Sequence, residues 1–283
     1  MSGHQCTLLE DGKRLHLHHG PIDLIVQAFG SQAEIQAAYQ RAAHAFETVL
    51  SDLVEELVDL RKAFDNQEFN GAVAKRMAKA VAPHSALFVT PMAAVAGSVA
   101  DHILEVMTLG GDLEKAYVNN GGDCALHLKE GQSLRVGAVS PHDLGRLEIH
   151  AGDPVRGIAT SGWQGRSYSF GIADAVTVLA GSAAQADVAA TLIANAVDLP
   201  GHPKIHRQAA SDLSPDSDLG DRLVTVDVAP LSAQEASLAL SRGLQVAEKM
   251  REKGHISEAL LVLQGQVAET ATTRKTVGKL VHA

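Results

Sequence analysis

The stretch DAVTVLAGSAAQADVAATLIANAVD, Asp174 to Asp198, decides how the rest of the chain is read. Its first part, DAVTVLAG, is apolar on both faces, as a strand in the middle of a sheet is. Gly181 ends that strand and Ser182 opens a helix, with Gln185 at the capping-box spacing. The helix, over about Ala183 to Val197, is Ala-rich and apolar all round, which predicts burial. One acid, Asp187, stands in its middle. An ionised carboxylate there costs on the order of several kcal/mol unless something pairs with it. Thr191 lies four residues on, one turn along the same face. Two readings follow. Asp187 bonds to a neighbouring backbone group or an arginine while Thr191 bonds back to a carbonyl. Alternatively, the carboxylate and hydroxyl are two hard oxygen ligands for Mg²⁺, whose other positions go to water and substrate phosphate. The Gly181–Ser182 junction adds a helix N-terminus whose N–H groups suit an anion.

Outward from this helix, RLHLHHGPIDLIVQAF (residues 14–29) alternates as a strand pair turning at Gly20-Pro21. Ser31 and Glu34 match the capping box, and Ile35, Ala38, Ala42, Phe46, Leu50, Leu53, Leu57 and Leu60 keep a helical period to about Lys62. A polar turn, Asp65 to Gly71, leads to an Ala/Lys helix that ends before Pro83. The next helix, Pro91 to Met107, carries small residues from Ala93 to Ala100, so its face admits a close backbone, a ligand or the partner of a homo-oligomer. AYVNNGGDCALHL reads as a hairpin turning at Asn119 to Asp123. LEIHAG and GIATSG read as strands, SDLSPDSDLGDR as an acidic loop and LVTVDV as a strand. A third capping box, Ser232 with Glu235, opens a helix to about Lys253, and LLVLQGQVAET follows as a strand. Strands and helices alternate without a regular βαβ period, which predicts an α+β fold of mixed sheets with packed helices. No linker divides the chain, so one domain over residues 1–283 is expected, its motifs concentrated between about 90 and 230.

Composition excludes several classes. The chain of 283 residues is 46% hydrophobic and 20% charged, enough to bury a core and not a disordered composition. The net charge of −9 and 4% aromatic content leave no basic footprint or stacking platform for nucleic acid. Cys6 and Cys124 make neither a disulfide framework nor a CxxC site. The opening residues lack the apolar run of a secretory signal, and no stretch reaches the ~20 apolar residues of a membrane span. A cytoplasmic protein is expected.

Several short motifs share an order with one known family. Ala186-Asp187-Val188-Ala189-Ala190-Thr191 resembles the A-D-x-x-[ST]-T motif of the ApbE family, the FAD:protein FMN transferases. Ala94-Val95-Ala96-Gly97-Ser98-Val99-Ala100-Asp101 resembles the family's I-A-K-G-Y-A-x-D segment. Asn120-Gly121-Gly122-Asp123 is similar to its N-x-G-G-D turn, and Ser161-Gly162 to its S-G element. The run GIATSGWQGRSYSFGIADAVTVLA with SPDSDLG looks closer still to a bacterial and archaeal branch of the superfamily. The resemblance implies a T-shaped, two-lobed architecture. It also implies Mg²⁺ held by Asp187, Thr191 and the Val95 carbonyl. FAD or FMN would then lie against Gly97, Gly121, Gly122, Asp123 and the Thr160–Arg166 loop, beside Ser182, with a protein as acceptor. Two departures stand out. Ala96 replaces the family's lysine, and Phe170 replaces the histidine that activates the acceptor hydroxyl; a phenyl ring cannot accept a proton. Asp174 or Asp218 is left to act as base.

Other candidates come from residue type alone. Thr160, Ser161, Gly162, Gly165 and Arg166 form a hydroxyl- and glycine-rich loop that either cradles phosphate or is an ordinary turn. Asp216 and Asp218 flank Ser217 as a paired carboxylate site or a solvated turn. His16 and His18 share a strand face and offer two metal ligands, with no third in view; solvated histidines are the plain alternative. Trp163 either stacks on a flavin or packs, and Cys124 reads as a structural thiol. The functional expectation is a Mg²⁺-dependent transferase or pyrophosphate-cleaving enzyme acting on a flavin nucleotide. A flavin carrier that has lost the catalytic histidine, or a relative without a ligand, are the alternatives.

Overall fold

A computed structural model of the protein describes residues 3–137 and 146–271. The elements begin with strands β1 (Gln5–Leu8), β2 (Leu15–His19) and β3 (Ile22–Phe29), then helices α1 (Gln32–Glu55), α2 (Leu57–Leu60), α3 (Ala72–Val81) and α4 (Val95–Thr108). Strands β4 (Lys115–Asn120), β5 (Asp123–Leu128), β6 (Ser133–Gly137), β7 (Arg146–His150), β8 (Gly157–Ser161) and β9 (Ala175–Ala180) lead to α5 (Ala183–Ala196). The chain continues through β10 (Ile205–Ala209), α6 (Ala210–Leu213), β11 (Leu223–Val228), α7 (Ala233–Glu252), β12 (Glu258–Leu263) and β13 (Gln266–Glu269). The α+β class expected from the alternation is what forms. Among the described residues no helix is long and apolar enough to cross a membrane.

These elements divide into two compact units. The first takes the chain through Ser133, then His150–Ala159 and Ala180–Val188. The second takes Thr160–Leu179, the chain from Ala189 onward and the segment between Ser133 and His150. Each unit is closed by segments far apart in sequence, so the division leaves no linker to read.

In the first unit an antiparallel sheet runs in the order β1-β2-β3-β4-β5-β8. Strand β3 shows why one face is core: Ile22, Leu24, Val26 and Ala28 are buried while the residues between them stay more accessible. Against that face α1 sets Ala38, Ala42, Phe46, Val49 and Leu53, a stripe at helical spacing, and α4 sets Val99, Ala100, Ile103 and Met107. The second unit pairs β9, β12 and β13 antiparallel, with α7 packed on β12 and β13, and forms a separate β10–β11 ribbon.

Several local expectations are corrected. The long first helix stops at Glu55, where the backbone of Glu56 leaves helical geometry (φ −106°, ψ 8°), and the Glu56 carboxylate accepts the N–H groups of Asn70 and Gly71, both at 2.7 Å, at the start of α3. The Ser31 cap is only half a capping box: Ser31 Oγ accepts from Glu34 N at 3.3 Å, but the Glu34 carboxylate accepts instead from Asp112 N at 3.1 Å. At Ser232 both halves form. The helix expected from Pro91 opens as a single 3₁₀ turn, Pro91–Ala94. The stretch LLVLQGQVAET is a hairpin, turning at Gln264 (φ 45°) and Gly265 (φ 79°). A strand not expected from the sequence, β10, precedes the acidic loop, whose first residues, Ser211 to Leu213, close α6. Replacing Glu56 by Ala leaves two N–H groups at the α3 N-terminus without their acceptor. It is expected to lower unfolding free energy by about 1–2 kcal/mol, measurable by urea denaturation.

Candidate functional site

Helices α4 and α5 meet in the first unit through backbone rather than side chains. A Cβ built on Gly97 would lie 2.3 Å from the Ala183 carbonyl oxygen, and one on Gly157 would lie 2.0 Å from the Ser182 carbonyl carbon. The N-terminus of α5 is therefore gripped by two glycines, one from α4 and one from β8. Only a residue without Cβ permits that approach.

Each of these helices caps the other. Asp101 of α4 accepts the first two N–H groups of α5, from Ala183 at 3.0 Å and Ala184 at 2.9 Å. Asp187 of α5 accepts from Gly97 N of α4 at 3.0 Å, and the Ala96 N–H acts on it as well. No side chain of the residue preceding α4 caps it, so Asp187 supplies what the local sequence lacks. The lone acid in the apolar helix is thus held by backbone N–H groups. This matches the first half of the plainer reading and gives no sign of an arginine. The anion at the Gly181–Ser182 junction is the protein's own Asp101, which corrects the expectation that this helix N-terminus, at Ser182, stands ready for phosphate. Ser182 itself turns inward, its Oγ accepting from Gln185 N at 3.3 Å.

The electrostatics of Asp187 remain unbalanced. It lies deep in the first unit yet keeps part of its surface accessible. Burial raises its pKa well above the carboxylate range, the negative charges of Asp123 and Asp101 raise it further, and the Gly97 and Ala96 N–H groups only partly oppose them. None of these dominant influences is a cation. Burial also raises Asp101, against the lowering effect of its two N–H donors. Thr191 sits one turn beyond Asp187 on α5, partly accessible.

The β4–β5 turn completes the surroundings. Gly121 (φ 63°) and Gly122 (φ 119°) occupy left-handed backbone that favours glycine, and Asn119 Oδ1 accepts from Gly122 N at 2.8 Å. The buried Asn120 donates from Nδ2 to the Ala96 carbonyl at 3.1 Å, tying this turn to the start of α4. Val95 is the first residue of α4, so its carbonyl lies in the helix's own ladder. Cys124 is pushed up to about 12 by burial and by Asp123, which keeps the thiol protonated as a structural group should be.

The structure thus brings Gly97, Gly121, Gly122, Asp123, Ser182 and Asp187 into the first unit and joins Asp101, whose capping role the sequence did not reveal. Thr160, Ser161, Gly162, Arg166, Asp174, Thr191 and Asp218 fall in the second unit. Asp174 accepts from Trp163 Nε1 at 3.3 Å and from Gln264 N at 2.5 Å, holding the β12–β13 turn. Trp163 is therefore anchored by its indole N–H. A Cβ on Gly162 would strike the Asp174 carbonyl oxygen at 2.2 Å, and one on Gly171 the Ala194 carbonyl oxygen at 2.0 Å. These glycines serve close packing. Thr160 Oγ1 shares a hydrogen bond with Thr177 Oγ1 at 2.9 Å, Ser161 is partly accessible, and Arg166 is exposed. The Phe170 N–H donates to Asn195 Oδ1 at 2.9 Å, which also receives Ser169 Oγ. Asp218, partly accessible, lies in the turn between α6 and β11, where Ser217 Oγ accepts from Leu219 N at 3.3 Å.

Two outcomes follow from this geometry. Gly97→Ala forces a methyl into the α5 backbone and is expected to cost about 1–3 kcal/mol of stability in chemical denaturation. In metal-free protein, held with a chelator, Asp187 keeps its proton to higher pH folded than unfolded. The folded state therefore loses stability as pH rises above the unfolded carboxylate value and through the raised folded one. Compared over pH 4 to 8, Asp187→Asn should gain stability relative to wild type as pH rises; a difference flat with pH would contradict it.

A family model described as AbpE bacteria matches residues 6–269 of the chain. A UPF0280 protein of Methanothrix thermoacetophila is 43% identical over 130 residues, covering 44% of this chain and 52% of that protein. Another, of Archaeoglobus fulgidus, is 34% identical over 155 residues, covering 54% and 64%. The chain therefore spans less than two thirds of the length of these curated relatives. Among solved structures, a mutant of the flavin transferase ApbE from Vibrio cholerae superposes with a TM-score of 0.50 at 14% identity, over 92% of this chain and 98% of that one. At this identity the likeness is one of fold.

Proposed function

The chain belongs to the AbpE bacteria family, and on that premise we propose that it is a Mg²⁺-dependent enzyme acting on a flavin nucleotide. In this reading it cleaves the pyrophosphate of FAD, passing the FMN part to water or to a hydroxyl acceptor such as a protein side chain, and releases AMP. The observation that carries the reading is Asp187: deep, still accessible, raised first by burial and then by the charges of Asp123 and Asp101, and dominated by no cation. Such a group is relieved most directly by a small divalent ion. Mg²⁺, once bound, neutralises the charge that develops on a pyrophosphate.

Asp187 and Thr191 are the proposed ligands, at the i, i+4 spacing of one helix face. The Gly121–Asp123 turn is proposed to line the flavin side, where a Cβ on Gly122 would meet nothing within 4 Å; Gly97, set against the α5 backbone, is left with a packing role. Thr160, Ser161 and Arg166 are the hydroxyl and guanidinium groups proposed for the phosphates. Gly162 is left with a packing role. Asp174 or Asp218 is proposed to supply the base; both oxygens of Asp174 also receive N–H groups.

The sequence resemblance supports a second reading. It aligns Phe170 with the family's histidine, so a protein that binds flavin without transferring it fits the same site. Incubation with FAD and Mg²⁺ separates the two. Release of AMP that is lost in Asp187→Ala supports the enzyme. A Mg²⁺-dependent thermal shift with FAD but no AMP supports the carrier. If neither FAD nor Mg²⁺ raises the melting temperature, alone or together, the flavin-site reading fails.

A further inference from the structure

The accessible face of the first unit's sheet carries a separate group of metal-ligand atoms. His16 and His18 lie two apart on β2 and so point to the same face. Strand register sets Asp23 of β3 directly opposite His18. His16 Nε2 lies 2.7 Å from Asp23 Oδ1, and His18 Nδ1 lies 3.9 Å from Asp23 Oδ2. One ligand atom from each of the three falls within 4.8 Å of the others, and among the described residues no other three His, Cys, Asp or Glu side chains do so. The side chains are 33%, 37% and 49% exposed, so an ion can reach them without the core opening.

We propose that His16, His18 and Asp23 form a binding site for a divalent transition metal of the Zn²⁺ class. Two imidazole nitrogens and one carboxylate are the donor set such ions prefer, whereas Mg²⁺ favours oxygen alone. Three protein ligands leave a fourth tetrahedral position to solvent or an exogenous ligand. The scaffold suits the task, because β2 is paired on both sides, by β1 and β3, and its backbone is fixed. Only side-chain rotation is needed to exchange the His16–Asp23 hydrogen bond for metal–ligand bonds. Asp23 supplies the negative charge that partly neutralises the ion. The site is distinct from Asp187 in residues and in ion preference, so its test does not depend on the flavin reading.

The test uses the full chain. Titration with CoCl₂, read by visible absorption, and with ZnCl₂, read by calorimetry, is expected to show one saturable equivalent in the presence of excess Mg²⁺. His16→Gln/His18→Gln should abolish it and Asp23→Asn should weaken it by more than about tenfold, with far-ultraviolet circular dichroism unchanged. A second readout on the unaltered protein guards against a variant that fails to fold. Zn²⁺ should perturb the ring signals of His16 and His18 first among the fourteen histidines in NMR spectra. Absence of a saturable equivalent, equal binding in the double variant, or perturbation spread evenly over other histidines would each overturn the site.

Discussion

Helices α4 and α5 exchange carboxylates, and the first unit's arrangement depends on that exchange. Asp101 leaves α4 to satisfy the first N–H groups of α5, and Asp187 leaves α5 to satisfy those of α4. Charged acceptors at helix N-termini are among the stronger hydrogen bonds a protein makes, and they also align with the helix dipoles. The bonds are short only if the two backbones approach closely, and that approach requires Gly97 and Gly157. Asn120 extends the constraint by holding the Ala96 carbonyl, so the β4–β5 turn and the start of α4 move as one piece.

Much of this was legible in the sequence, and the gaps have physical reasons. Periodicity placed α1, while capping-box spacing at Ser182 and Ser232 marked where α5 and α7 begin. The apolar run of β9 and the Gly121-Gly122 turn were equally plain. Asp187 announced itself as an acid among alanines. Its partners did not, since backbone N–H groups carry no residue letter. Asp101 was quoted within a motif but given no role of its own; only its proximity to Ala183 and Ala184, some eighty positions later, assigns its work. The same blindness explains Glu34 and Glu56, whose carboxylates serve N–H groups remote in sequence. Glycine was misread in the opposite sense. Gly162 suggests a phosphate cradle by composition, yet it lies against the Asp174 carbonyl oxygen of its own unit. β10 escaped notice because IHRQA is short and only partly buried.

A carboxylate held by N–H groups and a carboxylate poised for a metal are usually offered as rival explanations of one buried acid. Here the signs are compatible with the proposed metal as well as with the observed hydrogen bonds. Two N–H donors stabilise the ionised form, yet burial and the charges of Asp123 and Asp101 still leave Asp187 raised well above its ordinary range. The donors therefore orient the group without balancing it. What remains is an excess of negative potential at a fixed position, and a shifted pKa is a free energy that differs between the two protonation states. On the proposed reading a divalent ion has to displace that proton, and it offsets the cost by interacting with Asp187 and its charged neighbours at once. The helix caps set where the oxygen atoms sit before any ion arrives, so little reorganisation is charged against binding. An arginine in the same place would have quenched the potential, leaving a stable core and nothing for a metal to do.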